Sequence, residues 1–232
     1  MHSMNSRSKE PAVPIRLYDL TGANDARFSP YCTRVKMALA LKGLAYVTEP
    51  VPFTAISAIA GGGFKTLPLI EDGARLVSDS FTIAEYLDET YPGAPLFAPD
   101  SAGKAAARFV EGAMFSVLHM PAMPLVAKSI HDCLMPADQS YFRASREARL
   151  GRTLEEAAIG NAERLPEYRK LFHPLRHTLG TSAYFGGDTP LYVDAIVFGS
   201  LFWLHAVSDL DWLAGEDALA AWYGRCFDLT FR

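Results

Sequence analysis

Strand-like segments occupy only the front part of this chain, and beyond Pro99 no stretch alternates as a half-buried strand must. In that front part, residues 15–19 and 46–50 are short and apolar-rich. Between them Val35, Ala38 and Leu39 recur at helical spacing, Leu41 extends the run and Gly43 supplies a stop. Residues 54–60 read as a short helix ending in the triple glycine 61–63. Segments 67–71 and 75–77 straddle Asp72-Gly73, a strong hairpin signal, and Ile83, Ala84, Leu87 and Tyr91 mark a helix from Asp79 that stops before Pro92. The order β-α-β-α-β-β-α predicts an α/β unit with a mixed sheet.

After Pro92, Pro95 and Pro99 the chain reads as helices alone. Val110, Met114, Val117 and Leu118 share one helical face, and a long Arg-, Glu- and Ala-rich stretch over 141–179 is expected to break or kink at Pro166 and Pro174. Residues 193–208 are apolar enough for a buried central helix. Leu219, Trp222, Tyr223, Cys226 and Phe227 define a final amphipathic one. The expected domains are 15–91 and 101–232, with a linker at 92–100. Residues 1–14, polar and without an apolar core, read as a disordered leader rather than a secretory signal.

Composition narrows the function. Net charge is −4, with both signs interleaved and no basic stripe, which argues against nucleic acid. Apolar runs are broken by charges or prolines short of the roughly 20 residues that span a bilayer, so no membrane partner is expected. Cys32, Cys133 and Cys226 lie far apart without metal-ligand spacing, as suits a reducing cytoplasm.

Three short motifs carry chemistry. In Phe28-Ser29-Pro30-Tyr31-Cys32-Thr33-Arg34, Ser29 is the natural N-cap and Pro30 the first helical residue. In Thr66-Leu67-Pro68-Leu69, a cis bond before Pro68 would turn the Leu67 amide and carbonyl outward, where an extended peptide can pair with them; taken alone, a trans edge proline is the expectation. In Ser78-Asp79-Ser80, the Ser80 and Phe81 amides and the Ser80 hydroxyl can bind a carboxylate at a helix start, and Asp79 can take an ammonium. Each alone reads as an ordinary cap or turn.

Together, and in this order, they make the chain resemble the glutathione transferase superfamily over nearly its whole length after Ile15. The stretches FSPYCTRVKMAL, YFRASREARLGRTLEE and YFGGDTPLYVDAIVFGSLFW are most similar to a bacterial class related to the β-etherases of lignin breakdown. The resemblance implies a thioredoxin-like N-terminal domain, an all-helical C-terminal domain, glutathione as co-substrate and a homodimer. It places Ser29 where a hydroxyl meets the glutathione sulfur, Leu67 and Pro68 where the backbone meets its cysteinyl residue, and Asp79 and Ser80 at its γ-glutamyl group. Asp79 departs from the more usual Glu. Lys42 and Lys65 become candidates for the glycyl carboxylate. Phe53, Met114, Phe115, Leu118, His119 and Met123 are candidates for an apolar pocket holding a small hydrophobic electrophile. A second departure is Leu191, where the family usually has Ser or Thr three residues before the buried Asp194; Asp188 or Thr189 is expected to cap that helix instead.

Rival readings exist. Ser29-Pro-Tyr-Cys32 echoes the CPYC redox motif of glutaredoxins with Ser in the nucleophile's place, leaving Cys32, near a helix start, as a thiol whose pKa can be lowered. A glutaredoxin-like reductase and a non-catalytic ligand-binding module are the alternatives. His173 and His177 have zinc-pair spacing but no third ligand, so no metal is expected, and AGGGFKT does not satisfy the phosphate-loop pattern.

Overall fold

The computed structural model describes residues 14–232, so the leader read at 1–14 lies, but for Pro14, outside the described residues. The first unit runs β1 (Ile15–Leu20), α1 (Pro30–Leu41), β2 (Tyr46–Val51), a 3-10 segment (Phe53–Gly61), β3 (Leu69–Asp72), β4 (Arg75–Ser78) and α2 (Ser80–Thr90). Its sheet has the order β2-β1-β3-β4. The β1–β2 pair is parallel, from Ile15 opposite Tyr46 to Leu20 opposite Val51, and the other two pairs are antiparallel. This is a thioredoxin-like arrangement. Alternation in β1 buries Ile15, Leu17 and Asp19 on one face. Asp19 is tolerated there because Arg27 and Lys36 reach its carboxylate at 2.9 and 2.6 Å. At the β3–β4 turn Gly73 has φ +59°, as the hairpin signal requires.

The second unit is entirely helical: α3 (Asp100–Met114), a π-helical turn (Phe115–His119), α4 (Met120–Cys133), α5 (Pro136–Leu150), α6 (Leu154–Ala158), α7 (Asn161–Arg169), α8 (His173–Leu179), α9 (Tyr192–Val207) and α10 (Asp217–Phe231). The single stretch expected over 141–179 is interrupted by a 3-10 segment (Lys170–Phe172) just before Pro174, as expected, but also at two glycines and not at Pro166. Gly151 and Gly160 sit at φ +66° and +70°, and Thr153 and Glu156 form a reciprocal capping box that restarts the chain as α6. Pro166 is accommodated inside α7 and Pro174 in the first turn of α8. The expected helix over 54–60 is 3-10 in form and interrupted at Ile59 and Ala60. The continuous run Asp100–Cys133 is long and apolar enough, by length and composition, to cross a membrane, contrary to the sequence expectation. Its charges fall near the two ends, the last of the first group at Glu111 and the next at Lys128, and Pro121 and Pro124 are carried within the helix, so neither interrupts it; the run packs against α9.

α9 is the hub. It lies along α1, and both are buried on nearly every side. A Cβ on Gly199 would come within 2.4 Å of the Pro30 carbonyl oxygen, so only glycine lets α9 approach the first turn of α1 this closely. A Cβ on Gly22, in the β1–α1 loop, would lie 2.2 Å from the Cys133 carbonyl oxygen at the end of α4. These two contacts fix the Ser29 segment against the helical unit. Asp194 anchors α9 itself, accepting hydrogen bonds from the amides of Phe185, Gly186 and Leu191 and from the Trp222 indole at 2.8–3.0 Å. Burial pushes its carboxyl above the usual carboxylate range while these donors pull the other way. No cap from Asp188 or Thr189 is made: Leu191 is the N-cap residue, and Asp194 reaches back to its amide instead.

Candidate functional site

A cavity of about 430 Å³ opens between the two units. Ser29 lies on its wall at the start of α1, with Pro30 in the first turn as the sequence predicts. The Ser29 hydroxyl accepts from the Cys32 amide at 3.2 Å, so its own hydrogen remains to be donated. The side chain therefore holds a donor at the positive end of a helix dipole, facing an apolar cavity.

The second motif reaches the same cavity. Lys65, Thr66 and Leu67 line it, and the Leu67–Pro68 peptide bond is cis, where the proline taken alone pointed to trans. Pro68 itself is buried behind Leu67. The third motif lies beside the cavity rather than on its wall. Asp79, at φ +74°, is exposed and caps α2 through the Thr82 amide and hydroxyl, each at 2.9 Å. Burial raises the Tyr31 phenol, Arg34 works against that, and the Glu111 and Asp79 charges add to it. The Ser80 hydroxyl is buried beside that of Tyr192, and neither has a partner of hydrogen-bond geometry. Buried Arg34 likewise leaves Nε and Nη2 unpaired, although Nη1 meets Glu111 at 2.8 Å. The surface at α2 thus offers the Ser80 and Phe81 amides, which have no intrahelical acceptor, rather than the Ser80 hydroxyl. Lys42 is not brought to this site. Its ammonium is tied to the Ala94 carbonyl at 3.0 Å and to Asp88 at 3.5 Å, where it pins the end of α1 to the chain after α2.

Of the candidates for the apolar wall, Phe53, Phe115, His119 and Met123 line the cavity. Met114 and Leu118 do not, being packed in the core. The π turn is the reason: it changes the angular phase of the run between α3 and α4, so Phe115 and His119 face the cavity while their neighbours turn inward. His119 is buried, and its Nε2 lies 2.9 Å from the Ser200 hydroxyl. That hydroxyl gives its hydrogen to the Ile196 carbonyl, so Nε2 is the donor. Burial, with Arg34 nearby, holds the imidazole down at about 3. It is no general base at neutral pH, but a fixed polar edge in a box formed with Tyr31, Phe115 and Trp203.

Residue pattern alone missed several contributors, Trp203 and Asp138 among them. Trp203 reads as one more apolar position of α9, yet it lines the cavity. Fully buried Asp138, in the first turn of α5, accepts from the Phe53 and Thr54 amides at 3.0 and 2.9 Å and so places Phe53 on the wall. Its only signal in the sequence was an acid near a helix start, which reads as a dipole partner.

Cys32 does not have the lowered pKa that a redox role needs. It is buried, and desolvation together with the Asp19 charge pushes the thiol up to about 12. Burial raises the other two thiols as well. Cys32 is therefore expected to resist iodoacetamide in the folded protein at pH 7.5 and to react promptly in urea. Rapid native labelling, located by peptide mass, would revive the redox reading. His173 and His177 sit 6.4 Å apart by ring centroids, and no group of three or more metal-binding side chains converges among the described residues.

Both units resemble known proteins. Residues 24–95 match the family described as glutathione S-transferase, N-terminal domain, and residues 105–229 match glutathione S-transferase, C-terminal domain. A probable glutathione S-transferase of Oryza sativa subsp. japonica is 29% identical over 210 residues, covering 85% of this chain and 80% of that protein. Among solved structures, a glutathione transferase of Phanerochaete chrysosporium superposes with a TM-score of 0.84 at 25% identity, covering 96% of this chain and 99% of its own. A glutathione S-transferase of Ceriporiopsis subvermispora in complex with glutathione gives 0.80, also at 25% identity, covering 94% and 96%. With both domain types matched in order along one chain, this protein belongs to the glutathione S-transferase family.

Proposed function

We propose that this protein is a serine-type glutathione transferase acting on an apolar, aromatic electrophile. The observation that carries this reading is the Ser29 hydroxyl, held at the start of α1 on the wall of an interdomain cavity whose opposite side is aromatic. In this reading residues 15–91 bind glutathione and 101–232 bind the second substrate. The amide and carbonyl of Leu67, ahead of Pro68, pair with the cysteinyl residue, and Lys65 meets the glycyl carboxylate. The Ser80 and Phe81 amides take the γ-glutamyl carboxylate, and Asp79 takes its ammonium.

Glutathione supplies the sulfur that attacks carbon. The Ser29 hydroxyl and the α1 dipole favour the thiolate over the thiol by donating to, and sitting positive beside, the sulfur. In the β-etherase-type version, the leaving group is a phenolate on the carbon next to a ketone; the broken C–O bond leaves its electron pair on that oxygen, which takes a proton from water. Neutral His119 and the aromatic box position the ring system. Glutathione consumption screened over aryl halides, epoxides, peroxides and α-aryloxy ketones tests the reading. Turnover with an aromatic member is expected, whereas tight glutathione binding without turnover on any member would make this a binding module.

Asp79→Ala is expected to weaken glutathione binding about tenfold while costing only about 1 kcal/mol of stability, the value of an exposed cap. Calorimetric titration with thermal melts checks both. A large drop in melting temperature with unchanged affinity would reduce Asp79 to a cap.

The proposed assembly is a homodimer pairing the N-terminal domain of one subunit with the C-terminal domain of the other. Phe109 on α3, 77% exposed, is a large apolar side chain suited to such an interface. Sedimentation at micromolar concentration should give twice the 25.4 kDa chain mass, and Phe109→Glu should shift it toward one chain. A wild-type monomer would contradict the proposal.

A further inference from the structure

The walls of the cavity carry Lys65, Arg146 and Arg149 and no carboxylate. This imbalance is not forced by composition, since the chain has 26 acidic residues against 22 Lys and Arg. The contrast on α5 itself is sharper. Arg143, one turn earlier, is paired with Glu147 at 2.8 Å and with Glu155 at 2.9 Å. Arg146 and Arg149 have no carboxylate within salt-bridge distance among the described residues. The Arg146 guanidinium stacks over the Phe142 ring at 4.4 Å, gives Nη1 to the Ser145 hydroxyl at 2.6 Å and leaves its buried Nε without a partner. Burial and the neighbouring Arg149 charge both work against its protonated form. Arg146 is partly buried on an apolar wall with an unpaired Nε and no counter-ion, and Arg149, exposed beside it, adds a second positive charge; an anion held between them offsets the cost borne by Arg146.

We propose that the second substrate of this cavity is an aromatic acid, its anionic group held by Arg146 and Arg149 and its ring system lying in the aromatic box of Phe115, His119 and Trp203. The inference rests on the transferase reading only in treating the cavity as the electrophile's site. Lys65 is left to glutathione, whereas the two arginines, on the helical unit, are unclaimed by it. Neutral His119 adds no charge that would select an anion, so the preference is carried by α5.

The test compares two fluorescent probes that share one ring framework, 8-anilinonaphthalene-1-sulfonate and its uncharged parent N-phenyl-1-naphthylamine, on the full-length protein. The sulfonate should bind wild type about tenfold or more tightly than the neutral probe, the worth of a charge-assisted contact. Arg146→Gln and Arg149→Gln should remove most of that preference while changing neutral-probe affinity less than about twofold, and Arg146→Lys should keep part of it. Arg143→Gln, whose partner carboxylates lie outside the cavity, should change neither. Equal wild-type affinities, or a preference that survives Arg146→Gln, would overturn the proposal. It would also be overturned if Arg146→Gln weakened glutathione binding and spared the sulfonate, because the arginines would then serve glutathione. Glutathione affinity, measured on the same proteins by calorimetry, reports on the transferase reading separately.

Discussion

Asp194→Ala should lower the unfolding free energy by about 4 kcal/mol, because it strands four donors at once around a fully buried carboxylate. Three are backbone amides of the turn before α9, and the fourth is the indole of Trp222, fully buried on α10. Asp194→Asn retains a carbonyl acceptor of the same shape and should cost roughly half as much. Urea denaturation of the three proteins decides it, and a loss under about 1 kcal/mol for the alanine variant would mean the turn repacks freely. The consequence extends to chemistry. α9 carries Gly199 against Pro30, Ser200 against His119 and Trp203 on the cavity wall, so loosening its start disturbs every part of the site at once.

Ser29→Ala should reduce kcat/KM for conjugation by about a hundredfold at pH 6.5 while leaving glutathione affinity within a few-fold. The hydroxyl is asked to supply only a difference between thiolate and thiol, worth about 1.4 kcal/mol for each pKa unit lost. Stability should fall by only about 1 kcal/mol, since the variant also loses the cap to the Cys32 amide. Ser29→Thr, which keeps a hydroxyl at a capping position, should recover part of the rate. Cys32→Ser should leave the rate nearly unchanged, because its thiol is buried and raised to about 12. Steady-state rates with the best electrophile from the screen, alongside a disulfide-reduction assay, separate the two residues. Loss of activity in Cys32→Ser with retention in Ser29→Ala would invert the assignment.

The α/β unit was legible because each of its elements leaves a local mark. The period of α1, Pro30 after Ser29 and the Asp72-Gly73 turn each depend on a few adjacent residues, and the structure shifts their ends by only a residue or two. The helical unit was legible in kind but not in segmentation. Gly151 and Gly160 look like ordinary weak helix positions until φ is known, whereas Pro166 looks like a break and is absorbed; Pro174 does mark one, in the first turn of α8. The apolar wall was the least legible part. Met114 and Phe115 are adjacent and equally apolar, yet Met114 is packed in the core and Phe115 lines the cavity, a difference set by the placement of the helix and not by residue type. Lys42 shows the same limit for a charge: nothing near it in sequence reveals that Asp88 and the Ala94 carbonyl lie within its reach. Asp138, Arg146, Arg149 and Trp203 matter through contacts made across elements, which no local pattern encodes.

The central claim, that Ser29 turns bound glutathione into a nucleophile, is tested most directly by the ultraviolet absorbance of the thiolate. Glutathione bound to wild type, titrated from pH 5 to 10 against matched free glutathione, should show thiolate forming about two pH units below the free thiol. In Ser29→Ala the curve should move back toward that of free glutathione, while Cys32→Ser should follow wild type. A bound thiol that titrates like free glutathione in wild type, or a curve unmoved by Ser29→Ala, would contradict the account.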